Sequence, residues 1–262
     1  MTTDAHYGCP ACRKYCAVKD GLSACCHVGA DPSVTTILSV ISKPALIPWA
    51  VKMEREAIRA AFLDALTDQA KGFLALEKDP DAAWNVVLRM TESHKAADKV
   101  KNKAAEIGSA AHALIEWQTK RELGFPVSSE PPAAPEAAQW AFMAWQDWAR
   151  KVRFKPLESE LVVYSTQHGY IGTVDTIAFV EEQLTCVDYK TGKAVYREAH
   201  LQNVAYRQAY AEANSGMWTK GLVLRLPKAE SDPEFEPVEV TEGHETLPAF
   251  LGFKAGWQWM RK

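Results

Sequence analysis

Gly172-Thr173-Val174-Asp175 and Asp188-Tyr189-Lys190 place two carboxylates and a lysine on segments that read as neighbouring strands of one hairpin. Alternation along a strand puts residues i and i+2 on the same face. Asp188 and Lys190 therefore point the same way, and Tyr189 points to the other side. The rest of that strand carries Leu184, Cys186 and Val187 as core-side neighbours, so packing gives little reason to present an acid and an ammonium together. Metal-assisted phosphodiester cleavage would use such a set. Carboxylates hold a divalent cation, and a lysine steadies the attacking water and the phosphate. A plain hairpin salt bridge is the competing reading of the same residues.

Two further sets flank the hairpin. In Gly108-Ser109-Ala110-Ala111-His112-Ala113-Leu114-Ile115-Glu116, a helix would put His112 and Glu116 one turn apart on one face. Gly108 lets a backbone or ligand come close. In Gln202-Asn203-Val204-Ala205-Tyr206, Gln202 and Tyr206 share a helix face at the same spacing. Each set alone is bland: a surface or core histidine in the first case, a polar helix face in the second.

The elements that must position these residues follow from periodicity and punctuation. Asp31-Pro32-Ser33 reads as a helix entry with Ser33 or Thr35 available to cap. From there to about residue 120 the pattern is helical, with Pro44 and Pro48 breaking the first helix and Asp79-Pro80-Asp81 starting another. Residues 126–136, with Pro126, Pro131, Pro132 and Pro135, read as a loop, and a helix carrying Trp140, Trp145 and Trp148 follows. Residues 158–165, 170–180 and 184–190 read as three strands of a meander, turning at His168-Gly169 and Glu181-Glu182-Gln183. A helix over 197–214, strands over 218–226 and 235–240, and a helix from about Glu245 complete the chain. The expected class is α/β (α+β), a mixed central sheet flanked by helices.

Composition bounds the function. The chain has 262 residues and 29.1 kDa, with 47% hydrophobic and 24% charged residues, which suits one core with an appendage or two small domains. A net charge of −3 gives no global nucleic-acid signal, so a DNA site would need a local basic groove. The opening residues lack a signal-peptide pattern, and no apolar run approaches the roughly 18 residues of a membrane span. A soluble, intracellular protein is expected, with most of its tryptophans in the core.

Taken in order, the helix with Gly-x-x-x-His-x-x-x-Glu, the strand with Gly-Thr-x-Asp, the strand with Asp-x-Lys and the helix with Gln-x-x-x-Tyr resemble the RecB-like branch of the PD-(D/E)xK nuclease superfamily. Glu160 fits an acidic position of that branch, and Pro32-Ser33-Val34-Thr35-Thr36-Ile37-Leu38 with Leu46-x-x-Trp49 is similar to its phage-encoded exonucleases. The resemblance covers about residues 32–215 and implies a restriction-endonuclease-like sheet. It further implies His112, Asp175, Asp188 and the Tyr189 carbonyl as ligands of one or two Mg²⁺ or Mn²⁺ ions. Lys190 would orient water and stabilise the phosphate, and Gln202 and Tyr206 would contact the DNA backbone or hold the lysine.

Five of the six cysteines lie between Cys9 and Cys26. Such a local cluster in an intracellular chain reads as a metal module. Cys9, Cys12, Cys25 and His27 are the expected zinc ligands, with Cys16 or Cys26 as alternatives. An iron–sulfur cluster is the other reading. Related CRISPR-adaptation and AddB-type nucleases hold one with three cysteines near the end of the nuclease core, where this chain has none. Residues 1–30 are thus expected to form a Cys-rich module and 31–262 the nuclease domain, helical over 31–156 and sheet-based over 157–262. Lys95 and Lys99, with Lys101 and Lys103, read either as a solvated helix face or as a phosphate-contacting edge.

The expected activity is a metal-dependent DNA exonuclease acting on single- or double-stranded ends in recombination, replication or end-processing. It would work in the cytoplasm, that of a bacterial host if the chain is phage-encoded, with recombination or replication proteins as candidate partners. An endonuclease or nickase on the same core and a non-catalytic zinc-containing DNA-binding adaptor are the alternatives.

Overall fold

The computed structural model describes residues 18–19, 22–23, 31–41, 43, 45–67, 96–229, 231–232, 235–240 and 245–262. Cys9, Cys12, Cys16, Cys25, Cys26 and His27, the expected helix start at Asp79-Pro80-Asp81, Pro44 and Lys95 lie outside them. Within the Cys-rich stretch, β1 (Val18–Lys19) and β2 (Leu22–Ser23) form a short antiparallel pair.

The chain divides into two units: Met1–Ile41 with Ile107–Lys262, and Ser42–Glu106. The first contains α1 (Val34–Leu38), α4 (Glu136–Lys151), α5 (Arg197–Ala213) and α6 (Thr246–Trp259) around a five-stranded sheet. The strands are β3 (Lys155–Ser165), β4 (Tyr170–Val180), β5 (Gln183–Lys190), β6 (Lys220–Arg225) and β7 (Glu236–Glu239), hydrogen-bonded in that order. Only β5 and β6 run parallel, joined through α5. Parallel neighbours need such a crossover, whereas the antiparallel β3–β4–β5 meander needs only tight turns. The turns lie where the sequence puts them: Gly169, Glu181 and Glu182 all take left-handed backbone.

Both faces of the sheet are covered, which is why β5 is buried without a break from Thr185 to Tyr189. On one face Val163, Tyr170, Val174, Ile177 and Cys186 pack with Val34 and Ile37 of α1, Ala205 and Tyr206 of α5, and Phe250 of α6. On the other, Val187, Tyr189, Leu222 and Leu224 pack against Trp145 and Trp148 of α4 and against Ala111, Leu114 and Ile115. Those last three belong to α3 (Ala96–Glu122). Trp145 is the hub, stacked on Phe142 at 5.8 Å and edge-on to Phe154 at 5.7 Å. Among the described tryptophans only Trp145 and Trp148 are buried, while Trp140, Trp218 and Trp259 are exposed. The expected tryptophan-rich core is corrected to that extent, because aromatic neighbours around one hub already fill the space.

The entry into α1 is capped by Ser33, whose hydroxyl accepts from the Thr36 amide at 3.1 Å. Tyr164 ties the same entry to the sheet by donating to Asp31 at 2.6 Å. Helix α1 ends at Leu38, ahead of either proline. Pro48 breaks nothing: it lies in the first turn of α2 (Leu46–Thr67), where a missing N–H leaves no hydrogen bond unmade. In the second unit, Glu54 of α2 accepts from the Ala97 amide at 3.2 Å, a carboxylate satisfying an orphan donor at the start of α3. Among the described residues no helix is long and apolar enough to cross a membrane.

Candidate metal centre

The β4–β5 ladder is regular from the turn up to Thr176↔Val187 and then stops. One more step would set Asp175 directly against Asp188, a like-charge pair that disfavours strand contact. On its other edge β5 stays paired to β6 through Lys190↔Arg225, so β5 keeps its line after β4 has left it. The Tyr189 peptide groups are taken by side chains instead. Its N–H donates to Asp175 Oδ2 at 2.8 Å, and its carbonyl lies 2.9 Å from His112 Nε2. His112 Nδ1 in turn lies 3.5 Å from Asp175 Oδ1.

β4 itself is irregular at this point. Val174 and Ile177 are three residues apart yet pack into the same core, so the two-residue alternation slips once, at Asp175–Thr176. On the other side, β3 approaches through Ser159↔Thr176 and Leu161↔Val174, which sets Glu160 across from Asp175. Glu160 has φ 52°, left-handed backbone inside a strand. For a non-glycine residue this costs on the order of 1 kcal/mol and persists only where the surroundings impose it. One donor atom from each of His112, Glu160 and Asp175 can be chosen so that all lie within 4.8 Å of one another, and all three residues are half-buried.

Asp188 stands outside that group. It is 2% exposed, and Lys190 Nζ sits 2.8 Å from Oδ1 and 2.7 Å from Oδ2. The two acids of the hairpin therefore differ in surroundings, and their pKa values are pushed in opposite directions. Burial raises the Asp188 pKa and the Asp175 charge adds to the effect, against Lys190 and His112. Burial would raise Asp175 as well, but the charges of His112 and Lys190 and the Tyr189 N–H outweigh it, and its pKa is lowered. His112 is pushed up to about 9: burial opposes its charge, yet Asp175, by charge and hydrogen bond, and Asp188 prevail. Glu160 is raised to about 7 by burial, then by Asp175 and Glu116. A concentration of shifted titratable groups marks a functional-site candidate.

The remaining expected residues fall as follows. Gln202 donates to the Tyr206 hydroxyl at 2.8 Å, and the Tyr206 ring is buried. That ring lies on Gly172: a Cβ there would sit 2.3 Å from Tyr206 Cε1. Two motifs separate in sequence thus explain each other by packing. Gly108 has the same role towards Thr191, just after Lys190, whose hydroxyl would lie 3.1 Å from an added Cβ. Lys99, Lys101 and Lys103 are exposed on the first turns of α3. One feature of the site was not singled out in sequence. Lys120 pairs with Glu116, and both charges act on Glu160. The i, i+4, i+8 spacing of His112, Glu116 and Lys120 on one helix was the available signal.

Residues 82–250 match the model of the PD-(D/E)XK nuclease superfamily. The chain belongs to that superfamily. No curated protein matches it. As a PD-(D/E)XK protein with a mixed sheet flanked by helices, it carries the fold of a metal-dependent nuclease acting on DNA. The donor set fits the divalent cation this implies: two carboxylates and an imidazole, hard oxygen with one nitrogen, suit Mg²⁺ or Mn²⁺.

Proposed function

We propose that the protein is a divalent-metal-dependent DNA exonuclease of the RecB-like, phage-encoded branch, acting on DNA ends in recombination, replication or end-processing in the cytoplasm of a bacterial cell. The observation that carries this reading is the convergence of His112, Glu160 and Asp175 where the β4–β5 ladder stops, with the Asp188–Lys190 pair beside it on β5.

His112, Asp175, Asp188 and Glu160, with the Tyr189 carbonyl, would hold the ion. When bound, Mg²⁺ or Mn²⁺ supplies Lewis-acid polarisation of the scissile phosphate and acidifies water at the site. Lys190 is kept charged by Asp188 and Asp175 despite its burial, so it holds a fixed positive charge for the phosphate and orients the attacking water. Gln202 donates to Tyr206 from a helix face that is only partly buried, and of that pair Gln202 would contact the DNA backbone while Tyr206 holds it. Lys95 and Lys99 contribute phosphate contacts outside the reacting centre. The N-terminal Cys9, Cys12, Cys25 and His27, with Cys16 or Cys26 as alternative ligands, would bind zinc.

End-labelled single- and double-stranded DNA with Mg²⁺ or Mn²⁺ tests the activity. Progressive loss of label from linear DNA, with closed circles intact, is expected. Cutting of circular or end-blocked DNA would assign an endonuclease or nickase, and no cleavage with any divalent ion would leave a DNA-binding adaptor. Metal analysis with an absorbance scan tests the module: zinc and no visible absorption are expected, and a brown, zinc-free protein would replace zinc by an iron–sulfur cluster.

A further inference from the structure

We infer that the side chain of Tyr189, braced on Thr176, is a positioning residue that holds the metal centre's backbone and imidazole in place. This role is distinct from that of its carbonyl, and it rests on the reading of His112, Glu160 and Asp175 as a divalent-cation site.

Tyr189 touches the site in three ways. Its N–H holds Asp175 and its carbonyl faces His112. Its ring meets the His112 ring edge-on at 5.9 Å. The ring runs away from Asp188 and Lys190 into the opposite core, where it meets Trp145 edge-on at 6.5 Å. From there the hydroxyl reaches back to β4 and donates to Thr176 Oγ1 at 3.0 Å. Thr176 is the last residue of β4 laddered to β5 and the neighbour of Asp175. The Tyr189–Thr176 bond therefore spans the two strands just where the main-chain ladder gives out, and it sets their separation at the site.

Core filling does not explain the pair. Tyr189 is 2% exposed and Thr176 1%. A phenylalanine facing a valine would fill nearly the same volume with no hydroxyl to desolvate. Two buried hydroxyls that satisfy one another fix an angle and a distance, which a greasy contact does not. Replacing both partners of such a bond with apolar groups of the same shape is nearly neutral in stability, whereas replacing one leaves an orphan. That asymmetry separates positioning from mere packing.

The test compares wild type, Tyr189→Phe, Thr176→Val and the double variant for Mn²⁺ affinity, read from the free-ion paramagnetic resonance signal, and for Tm. Each single variant is expected to weaken Mn²⁺ binding about tenfold, the order seen when support behind metal ligands is removed. The double variant is expected to regain most of the lost Tm while its Mn²⁺ affinity stays about tenfold weak, not a hundredfold. If Mn²⁺ affinity recovers together with Tm in the double variant, or never changes, the pair is structural only and the inference falls. A wild-type protein that takes up no Mn²⁺ removes the underlying metal centre, and this role with it.

Discussion

The two halves of the β4–β5 hairpin share strands, sheet and flanking helices, yet they do different things. From the turn to Thr176↔Val187 every step is paired, and the side chains divide between two apolar cores. Beyond that step the strands part, and the peptide groups they would have used are taken by Asp175 and His112. The difference teaches where a nuclease of this fold gets its rigidity. The closed half is held by burial, and the open half by hydrogen bonds between main chain and reactive side chains. The two acids at the boundary show the same division. Asp175, meeting an imidazole and an amide, is kept ionised; Asp188, buried and facing another carboxylate, has its pKa raised and relies on Lys190.

Substitutions on either side of the boundary should separate function from stability. Asp175→Ala removes a carboxylate from the donor group and orphans the Tyr189 amide, so metal-dependent DNA cleavage should fall at least about a hundredfold. Asp175→Asn can still accept from that amide and should be equally inactive while keeping more of the Tm; an active Asp175→Asn protein would dissolve the contrast between the halves. Gly172→Ala drives a methyl into the Tyr206 ring and should cost about 3 kcal/mol in denaturant unfolding. Val187→Ala, in the closed half, should cost about 2 kcal/mol through cavity formation and leave Mn²⁺ affinity, followed calorimetrically, unchanged. Glu160→Gln keeps side-chain size while removing charge facing Asp175 and Glu116. It should gain up to about 1 kcal/mol in the metal-free protein while weakening Mn²⁺ binding, the trade expected at a strained site.

Much of this was legible in the sequence, for identifiable reasons. The strands of the meander and the helix after it follow from alternation, turn residues and a crossover, and the structure extends them only by a few residues, starting β3 at Lys155 and β5 at Gln183. Asp188 and Lys190 do share a face, as strand geometry requires. What alternation cannot convey is its own failure. The slip at Asp175–Thr176 and the left-handed Glu160 arise from contacts between strands, and neither leaves a local pattern. The Gly172–Tyr206 contact joins two motifs that are each bland alone, because a glycine in a strand announces a close approach without naming what approaches. For Tyr189 the resemblance implies a task for the carbonyl alone; the partner across the hairpin, Thr176, gives the side chain one.

Lys190 is proposed to be the fixed positive charge that the open half presents to the phosphate. Lys190→Gln can still donate to Asp188, so the buried carboxylate keeps a partner and the fold should survive, as far-UV circular dichroism would show. Mn²⁺-dependent release of label from DNA ends is the direct measurement. A folded, Mn²⁺-binding Lys190→Gln protein is expected to lose at least about a hundredfold in cleavage rate. Cleavage at the wild-type rate by that same protein would contradict that role for Lys190.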